Sequence, residues 1–90
     1  MFYKVLITTV NSNYQVLDTN TNFQENQKME AYAAYYSACA EACSPADGVI
    51  QSTVVLMSYN KGYMNIVYTQ TFDYTEENNS ISGNDLNIVI

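Results

Sequence analysis

Hydrophobic and polar positions alternate most clearly between residues 49 and 74. Two strand-like runs, "VIQSTVVLMSY" and "YMNIVYTQTFDY", flank the turn-forming segment Asn60-Lys61-Gly62. Apolar residues in the second run alternate with polar ones, with Val67 as the exception; they are Met64, Ile66, Tyr68, Phe72 and Tyr74. Because side chains in a strand point alternately to opposite faces, this spacing places all five on one face. The pattern predicts a long hairpin whose apolar face meets a helix.

The first 20 residues show a weaker form of the same pattern. The run "FYKVLITTV", from Phe2 to Val10, is rich in β-branched and aromatic residues. The turn-forming residues Asn11-Ser12-Asn13 interrupt it, and strand character resumes from Tyr14 to about Thr19. These features predict a first antiparallel hairpin.

After residue 20 the apolar spacing changes to steps of three and four. The segment from Gln24 to Cys43 contains no Gly or Pro, and Asn22 stands three residues before Glu25, as in a capping box. One stripe of residues recurs at helical spacing: Met29, Tyr32, Tyr36, Cys39 and Cys43. The pattern predicts a helix over 24–43 that packs on the sheet through this stripe, with Ala33 and Ala40 beside it. Pro45 and Gly48 then end the helix.

The order of these elements predicts an α+β fold in one domain, residues 1–90. An antiparallel sheet of four strands, in the order β-β-α-β-β, carries one amphipathic helix on one face. Residues 75–85 are predicted to form a polar acidic loop, and residues 86–90 either add a short fifth strand at the edge or fray. Since one helix covers one face, the opposite face has to be polar, self-associated or bound to a partner.

Charge and composition limit the classes of partner that the protein is expected to bind. The chain is 48% hydrophobic and 13% charged, and nine acidic against three basic residues give a net charge of −6. A surface of this sign repels nucleic-acid backbones and anionic lipid, so neither is expected to bind directly. No apolar run approaches the roughly 18 to 20 residues that cross a bilayer, and the N-terminus has no signal-peptide pattern. We expect a cytoplasmic protein, in the host cytoplasm if the source is viral.

Missing residue types exclude most enzyme chemistry. The chain has no His, Arg or Trp, so it lacks an imidazole base, the common nitrogen ligand of zinc and the bidentate clamp for phosphate. Cys39 and Cys43 lie four residues apart on the predicted helix, where a disulfide has poor geometry, and we expect two buried, reduced thiols. The sequence therefore predicts a protein that is not an enzyme and has no cofactor and no metal site.

Two groups of residues are candidates for contact with a partner. Carboxylates concentrate late in the chain, at Asp73, Glu76, Glu77 and Asp85. Nine tyrosines in 90 residues are well above ordinary usage, and Tyr is favoured at interfaces; the candidates are Tyr3, Tyr14, Tyr59, Tyr63 and Tyr68. The alternatives are a solvated acidic loop and tyrosines that only line the sheet.

The small size, the acidity and the absence of catalytic motifs are similar to those of short accessory proteins of bacteriophages, including anti-CRISPR proteins. This resemblance in composition implies a non-enzymatic inhibitor that binds a protein with a basic surface. Its anionic, tyrosine-rich surface would occupy the basic groove of a host nucleic-acid enzyme or defence system. The alternative is a homodimer or higher homo-oligomer that buries its open sheet face, as a structural protein or as a cage for a small ligand.

Overall fold

The computed structural model describes residues 1–75, 80–83 and 87–89, and the side chains of residues 1–75. The described residues form one antiparallel sheet and one α-helix. The strands are β1 (Phe2–Asn11), β2 (Val16–Gln24), β3 (Val49–Asn60), β4 (Tyr63–Asp73), β5 (Ser80–Gly83) and β6 (Asn87–Val89). Helix α1 (Lys28–Ala42) follows a 3-10 turn at Glu25–Gln27. Neighbouring strands in the sheet stand in the order β2-β1-β3-β4-β5-β6.

This architecture confirms the predicted α+β fold, with a four-stranded sheet β2-β1-β3-β4 and one helix between β2 and β3. The C-terminal part differs from the prediction in one respect, because β5 lies inside the segment 75–85 where a loop was expected. Residues 81–83 pair with residues 70–72 of β4. The free edge of β4 offers unpaired backbone donors and acceptors, so even a polar segment can add a strand there. The short strand β6 falls within the predicted edge segment 86–90.

The start of the helix also differs from the sequence prediction. Strand β2 runs to Gln24, so Asn22 pairs with Lys4 in the sheet and does not cap a helix. The capping contact instead involves Gln27, whose side-chain oxygen accepts a hydrogen bond of 2.9 Å from the backbone N–H of Gln24. The capping pair therefore lies two residues later than predicted, with the same spacing of three residues and with glutamine at both positions.

The face by which α1 packs on the sheet is not the predicted one. Its buried residues are Ala31, Tyr35, Ala38 and Ala42. In the predicted stripe Met29 is 78% exposed, Tyr36 and Cys43 are also exposed, and Tyr32 and Cys39 are half-buried at its border. Both faces are apolar and spaced at helical intervals. The alanine face is buried because its small side chains let the helix axis approach the sheet closely, leaving room for one large ring, Tyr35.

A register shift in β4 divides the apolar face that the sequence predicted for this strand. Leu56 of β3 pairs with Tyr68, but the next residue, Met57, pairs with Ile66, so Val67 is the extra residue of a β-bulge. Because side chains alternate between the two faces of a sheet, one extra residue moves every side chain that precedes it in the strand to the opposite face. Tyr68, Phe72 and Tyr74 consequently face the helix, whereas Met64 and Ile66 face the other side of the sheet.

The core between sheet and helix is built around aromatic rings. Tyr35 is fully buried, and its ring centroid lies 5.7 Å from that of Tyr68 and 5.2 Å from that of Tyr36. Tyr32 meets Tyr68 edge to face at 5.8 Å and Tyr3 at 6.5 Å. Below these rings the buried aliphatic and aromatic residues of the sheet are Val5, Val54, Leu56 and Phe72. The core and the residues packed against it thus take up five of the nine tyrosines: Tyr3, Tyr32, Tyr35, Tyr68 and Tyr74.

Candidate binding surfaces

The face of the sheet opposite α1, called the open face, carries five rows of side chains across strands β2, β1, β3 and β4. The rows follow from the strand registers: Gln24-Phe2-Tyr59-Met64, Asn22-Lys4-Met57-Ile66, Asn20-Leu6-Val55-Thr69, Asp18-Thr8-Thr53-Thr71 and Val16-Val10-Gln51-Asp73. Within β1, β3 and β4 the first three rows are mostly apolar and the last two mostly polar. The open face therefore has two ends of different chemistry.

The apolar residues of the first three rows form one cluster, called the open-face patch: Phe2, Leu6, Val55, Met57, Tyr59, Met64 and Ile66. The rings of Phe2 and Tyr59 are stacked, with centroids 4.5 Å apart and planes 5° from parallel. The Lys4 ammonium lies 5.5 Å from the centre of the Tyr59 ring. Met57 is only 7% exposed although it belongs to the side away from the helix, whereas Met64 and Ile66 are 51% and 57% exposed.

The charges of the molecule are distributed unevenly along the strands. All three lysines lie at the end that holds the patch: Lys4 in the second row, Lys28 at the start of α1 and Lys61 in the turn between β3 and β4. We call the opposite end, formed by the β1–β2 turn, residues 43–48 and the end of β4, the acidic end. Its described carboxylates are Asp18, Glu41, Asp47 and Asp73, and no lysine lies near them. Glu25 and Glu30 lie at the lysine end, where the three lysines outnumber them, so the described protein is an electric dipole.

Local hydrogen bonds hold two of these carboxylates in place on the open face. The Thr8 hydroxyl donates to Asp18 at 2.7 Å. The hydroxyl and the backbone N–H of Thr75 donate to Asp73 at 2.6 and 3.0 Å, and these bonds keep the pKa of the Asp73 carboxyl below its usual value. The hydrogen bonds therefore orient both carboxyl groups, and the lowered pKa keeps the Asp73 carboxyl charged at neutral pH.

An apolar groove opens beside the acidic carboxylates on the helix side of the sheet. It has a volume of about 420 Å³ between the C-terminal turn of α1 and the ends of β1, β2 and β3. Its walls are mainly small and aliphatic residues: Ile7, Leu17, Ala38, Ala42, Pro45 and Val49. The exposed residue Glu41 also lines it. The groove exists because Ala38 and Ala42 do not fill the space between the helix end and the sheet.

Tyr14 lies at the acidic end with its side chain exposed. It is 80% exposed in the turn between β1 and β2, with a left-handed backbone φ of 61°. The Asn11 side-chain oxygen shapes this turn by accepting hydrogen bonds from the backbone N–H groups of Asn13 and Gln15, at 2.9 and 3.0 Å. A bulky aromatic residue rarely adopts positive φ, and such strain often accompanies a functional position. Tyr14 was among the tyrosines that the sequence indicated as candidates for partner contact.

The partner-binding residues predicted from the sequence do not form one surface. Asp73 lies at the acidic end, and Tyr59 lies in the open-face patch at the other end of the strands. Tyr63 is 73% exposed but points to the helix side, because it directly precedes Met64 in β4. Tyr68 belongs to the core, where it contacts Tyr32 and Tyr35. The remaining candidates, Glu76, Glu77 and Asp85, lie outside the described residues.

Three further findings bear on possible function. Within the described residues, no group of three His, Cys, Asp or Glu side chains is placed to hold a metal ion. No helix in this part of the chain has the length and apolar character that a membrane crossing requires. Comparison with protein-family profiles, with curated proteins and with solved structures finds no match to this chain.

Proposed function

We propose that this chain is a small acidic, non-enzymatic binding protein that docks on a basic protein surface with its acidic end. The observation that carries the proposal is the separation of charge: four described carboxylates and no lysine lie at one end of the strands, whereas all three lysines lie at the other end with Glu25 and Glu30. A charge cluster of one sign accelerates and orients encounter with a partner of the opposite sign.

Short-range contacts at the same end support the proposal. The groove beside Glu41 offers apolar walls to an aliphatic side chain, and a lysine or arginine has such a stem below its charged head. Tyr14 presents an exposed ring at the rim, and packed tyrosines contribute strongly to affinity at interfaces. In the chain Glu76 and Glu77 follow Asp73 after two residues. A partner with a groove that binds nucleic acid fits this combination of negative charge and aromatic contact.

This partner class agrees with the resemblance to phage accessory inhibitors. A rigid anionic end can occupy the site of a phosphate backbone, so the proposed mode of action is competition with nucleic acid on a host enzyme or defence complex. Because the interaction depends on charge, its affinity should fall steeply between low and moderate salt.

A matched pair of double variants tests the proposal. Asp18→Asn with Asp73→Asn removes two negative charges from the acidic end, and Glu25→Gln with Glu30→Gln removes two from the start of the helix region. Affinity capture from the native host with wild type and both variants should yield a basic partner that the acidic-end variant loses and the other variant keeps. Excess single-stranded DNA should displace the same partner. If both variants lose the partner equally, binding depends on net charge and not on the acidic end, which contradicts the proposal. If neither variant loses the partner, the proposal is refuted.

A further inference from the structure

Strand β2 (Val16–Gln24) forms a long edge of the sheet whose outer side pairs with no described strand. Proteins usually protect such an edge by shortening the strand, by a bulge, or with Lys or Pro, because its unpaired backbone N–H and C=O groups can bind another strand. The nine residues of β2 include no Lys or Pro, and their register with β1 runs without a shift. At the other edge of the described sheet, β5 and β6 are only four and three residues long. The protein therefore leaves one edge of its sheet open to pairing.

The sequence of β2 is complementary to itself when two copies run antiparallel about a two-fold axis at Asn20. This register creates three kinds of cross-strand pair, each formed twice: Thr19 with Thr21, Leu17 with Phe23, and Asp18 with Asn22. Pairs of threonines and pairs of apolar residues stabilise neighbouring strands, and an asparagine amide can donate a hydrogen bond to a carboxylate. Moving the axis by one residue in either direction would separate Leu17 from Phe23. The side chains of β2 therefore favour a second copy, and they favour one register.

The distribution of charge also favours a second copy in this orientation. Antiparallel pairing places the acidic end of each copy beside the lysine end of the other. Asp18 then stands in one row with Asn22 and Lys4 of the second copy, and two strand spacings, about 10 Å, separate it from that lysine. The two Asp18 residues are four positions apart along the paired strands, about 14 Å, which exceeds the screening length of about 8 Å at physiological salt. Attraction between the opposite ends is therefore not offset by repulsion within the interface.

We propose that two copies of this chain pair edge to edge through β2, antiparallel and with Asn20 opposite Asn20, to form one continuous sheet. The two-fold axis is perpendicular to the sheet, so both helices lie on the same side of it. A paired length of nine residues makes roughly eight to ten backbone hydrogen bonds between the copies. Such bonds supply most of the affinity when one strand adds to the edge of another sheet. Because each copy has only one long open edge among its described strands, pairing ends at the dimer.

Asn20→Lys and Asn65→Lys form a matched pair of test variants. Both place a lysine at an exposed strand position, but Asn20 faces its own copy across the proposed interface, whereas Asn65 lies on β4. Sedimentation velocity from about 5 μM to about 500 μM should show wild type shifting from monomer to dimer. The Asn65 variant should follow wild type. The dissociation constant of the Asn20 variant should rise about fivefold or more, because like charges directly opposite each other disfavour strand pairing. A wild type that stays monomeric throughout, or an equal effect of both variants, would overturn the proposal.

Mixing two variants tests the register of the interface. Asn20→Asp alone should also weaken the dimer, because two carboxylates then face each other. An equimolar mixture of the Asn20→Lys and Asn20→Asp chains should recover a dimer at least as tight as that of wild type, since a lysine then faces an aspartate. Recovery also shows that both variants are folded. A mixture that stays as weakly associated as either variant would refute the register centred on Asn20.

Amide hydrogen exchange in the unmodified chain gives a measurement that does not depend on how a variant folds. Alternate residues of an edge strand direct their N–H groups away from the sheet, so about half of the β2 amides lack a strand partner in the monomer. Raising the protein concentration should slow the exchange of these amides in proportion to the fraction of dimer, and leave those of the turn at Asn60-Lys61-Gly62 unchanged. Exchange in β2 that is independent of concentration, in a sample that sediments as a dimer, would assign self-association to another surface and refute the edge as the interface.

Discussion

The phenol of Tyr74 donates a hydrogen bond to the backbone carbonyl of Ala42, and so joins the residue after β4 to the last turn of α1. Carbonyl groups in this turn have no partner within the helix, so the tyrosine satisfies a group that the helix leaves open. Burial is the main cause that raises the pKa of the Tyr74 phenol above its usual value of 10.0. The neutral, hydrogen-bonding form is therefore favoured in the fold.

Replacing this phenol should weaken the fold and change its response to alkali. Tyr74→Phe is expected to lower the free energy of unfolding by about 1 kcal/mol at pH 7, because the Ala42 carbonyl loses its donor. Above about pH 10 the unfolded chain releases the Tyr74 proton before the folded chain does, so this tyrosine makes stability fall as pH rises. The variant should lose stability less steeply than wild type in urea unfolding between pH 9 and about 11. An identical pH slope would contradict the assignment.

The turn between β3 and β4 should respond in opposite directions to two substitutions. Lys61 and Gly62 have φ values of 52° and 82°, the pair of positive angles of a type I′ turn, as the sequence predicted for Gly62. Lys61→Asn should raise the free energy of unfolding by about 0.5 to 1 kcal/mol, because Asn tolerates this conformation better. Gly62→Val should lower it by about 1 to 2 kcal/mol through backbone strain alone, since a Cβ there meets no atom within 4 Å. Chemical denaturation measures both, and an unchanged midpoint for Gly62→Val would show that the turn lacks this strain.

Replacing Tyr14 with Asn should raise the stability of the fold and weaken binding to a partner. Tyr14→Asn relieves the strain of positive φ at an exposed position, and we expect the free energy of unfolding to rise by about 0.5 to 1 kcal/mol. Tyr14→Phe keeps the strain and serves as the control, with unchanged stability. If the acidic end binds a partner, Tyr14→Asn should also raise the dissociation rate while leaving the salt dependence unaltered. A decrease in stability would show that the ring contributes to the fold.

The two thiols should differ in reactivity. The sequence predicts two buried thiols, but Cys43 is exposed at the end of α1 and Cys39 is half-buried against the core. A bulky thiol reagent should label Cys43 in the folded protein within the time of mixing and Cys39 more slowly. Cys43→Ser should remove the fast phase and change stability by less than about 0.5 kcal/mol. A single slow labelling phase for both thiols would show that Cys43 is buried as well as Cys39.

The fold class could be predicted from the sequence because each hairpin carries its own local signals. Alternation in residues 49–74 and the Asn60-Lys61-Gly62 turn define β3 and β4 without reference to the rest of the chain. Local turn chemistry likewise separates β1 from β2. The bounds of β2 were predicted less well, at Tyr14 to about Thr19 against the observed Val16–Gln24. The Asn residues after Asp18 are weak strand formers that pairing with β1 holds in place.

Which side chains of β4 and α1 point into the core could not be predicted in the same way. Alternation assumes an uninterrupted strand, and the bulge at Val67 breaks that assumption through pairing with β3, which local sequence does not encode. Helix α1 presents apolar residues on more than one side, so spacing alone did not distinguish the face of Ala31 and Tyr35 from that of Met29 and Tyr36. Close packing decided between them. The candidate tyrosines were consequently assigned to one surface although they lie on different ones.

The central position of β1 and β3 in the sheet has a consequence for the order of synthesis. Phe2 pairs with Tyr59, so the inner edge of β1 finds its partner only after most of the chain has left the ribosome. Until then the first hairpin presents an unpaired edge and an uncovered apolar face, which favours contact with chaperones or aggregation. The halves before and after the loop at 43–48 complete each other's sheet, and we expect neither to persist as a folded fragment. Folding should be limited by this long-range closure.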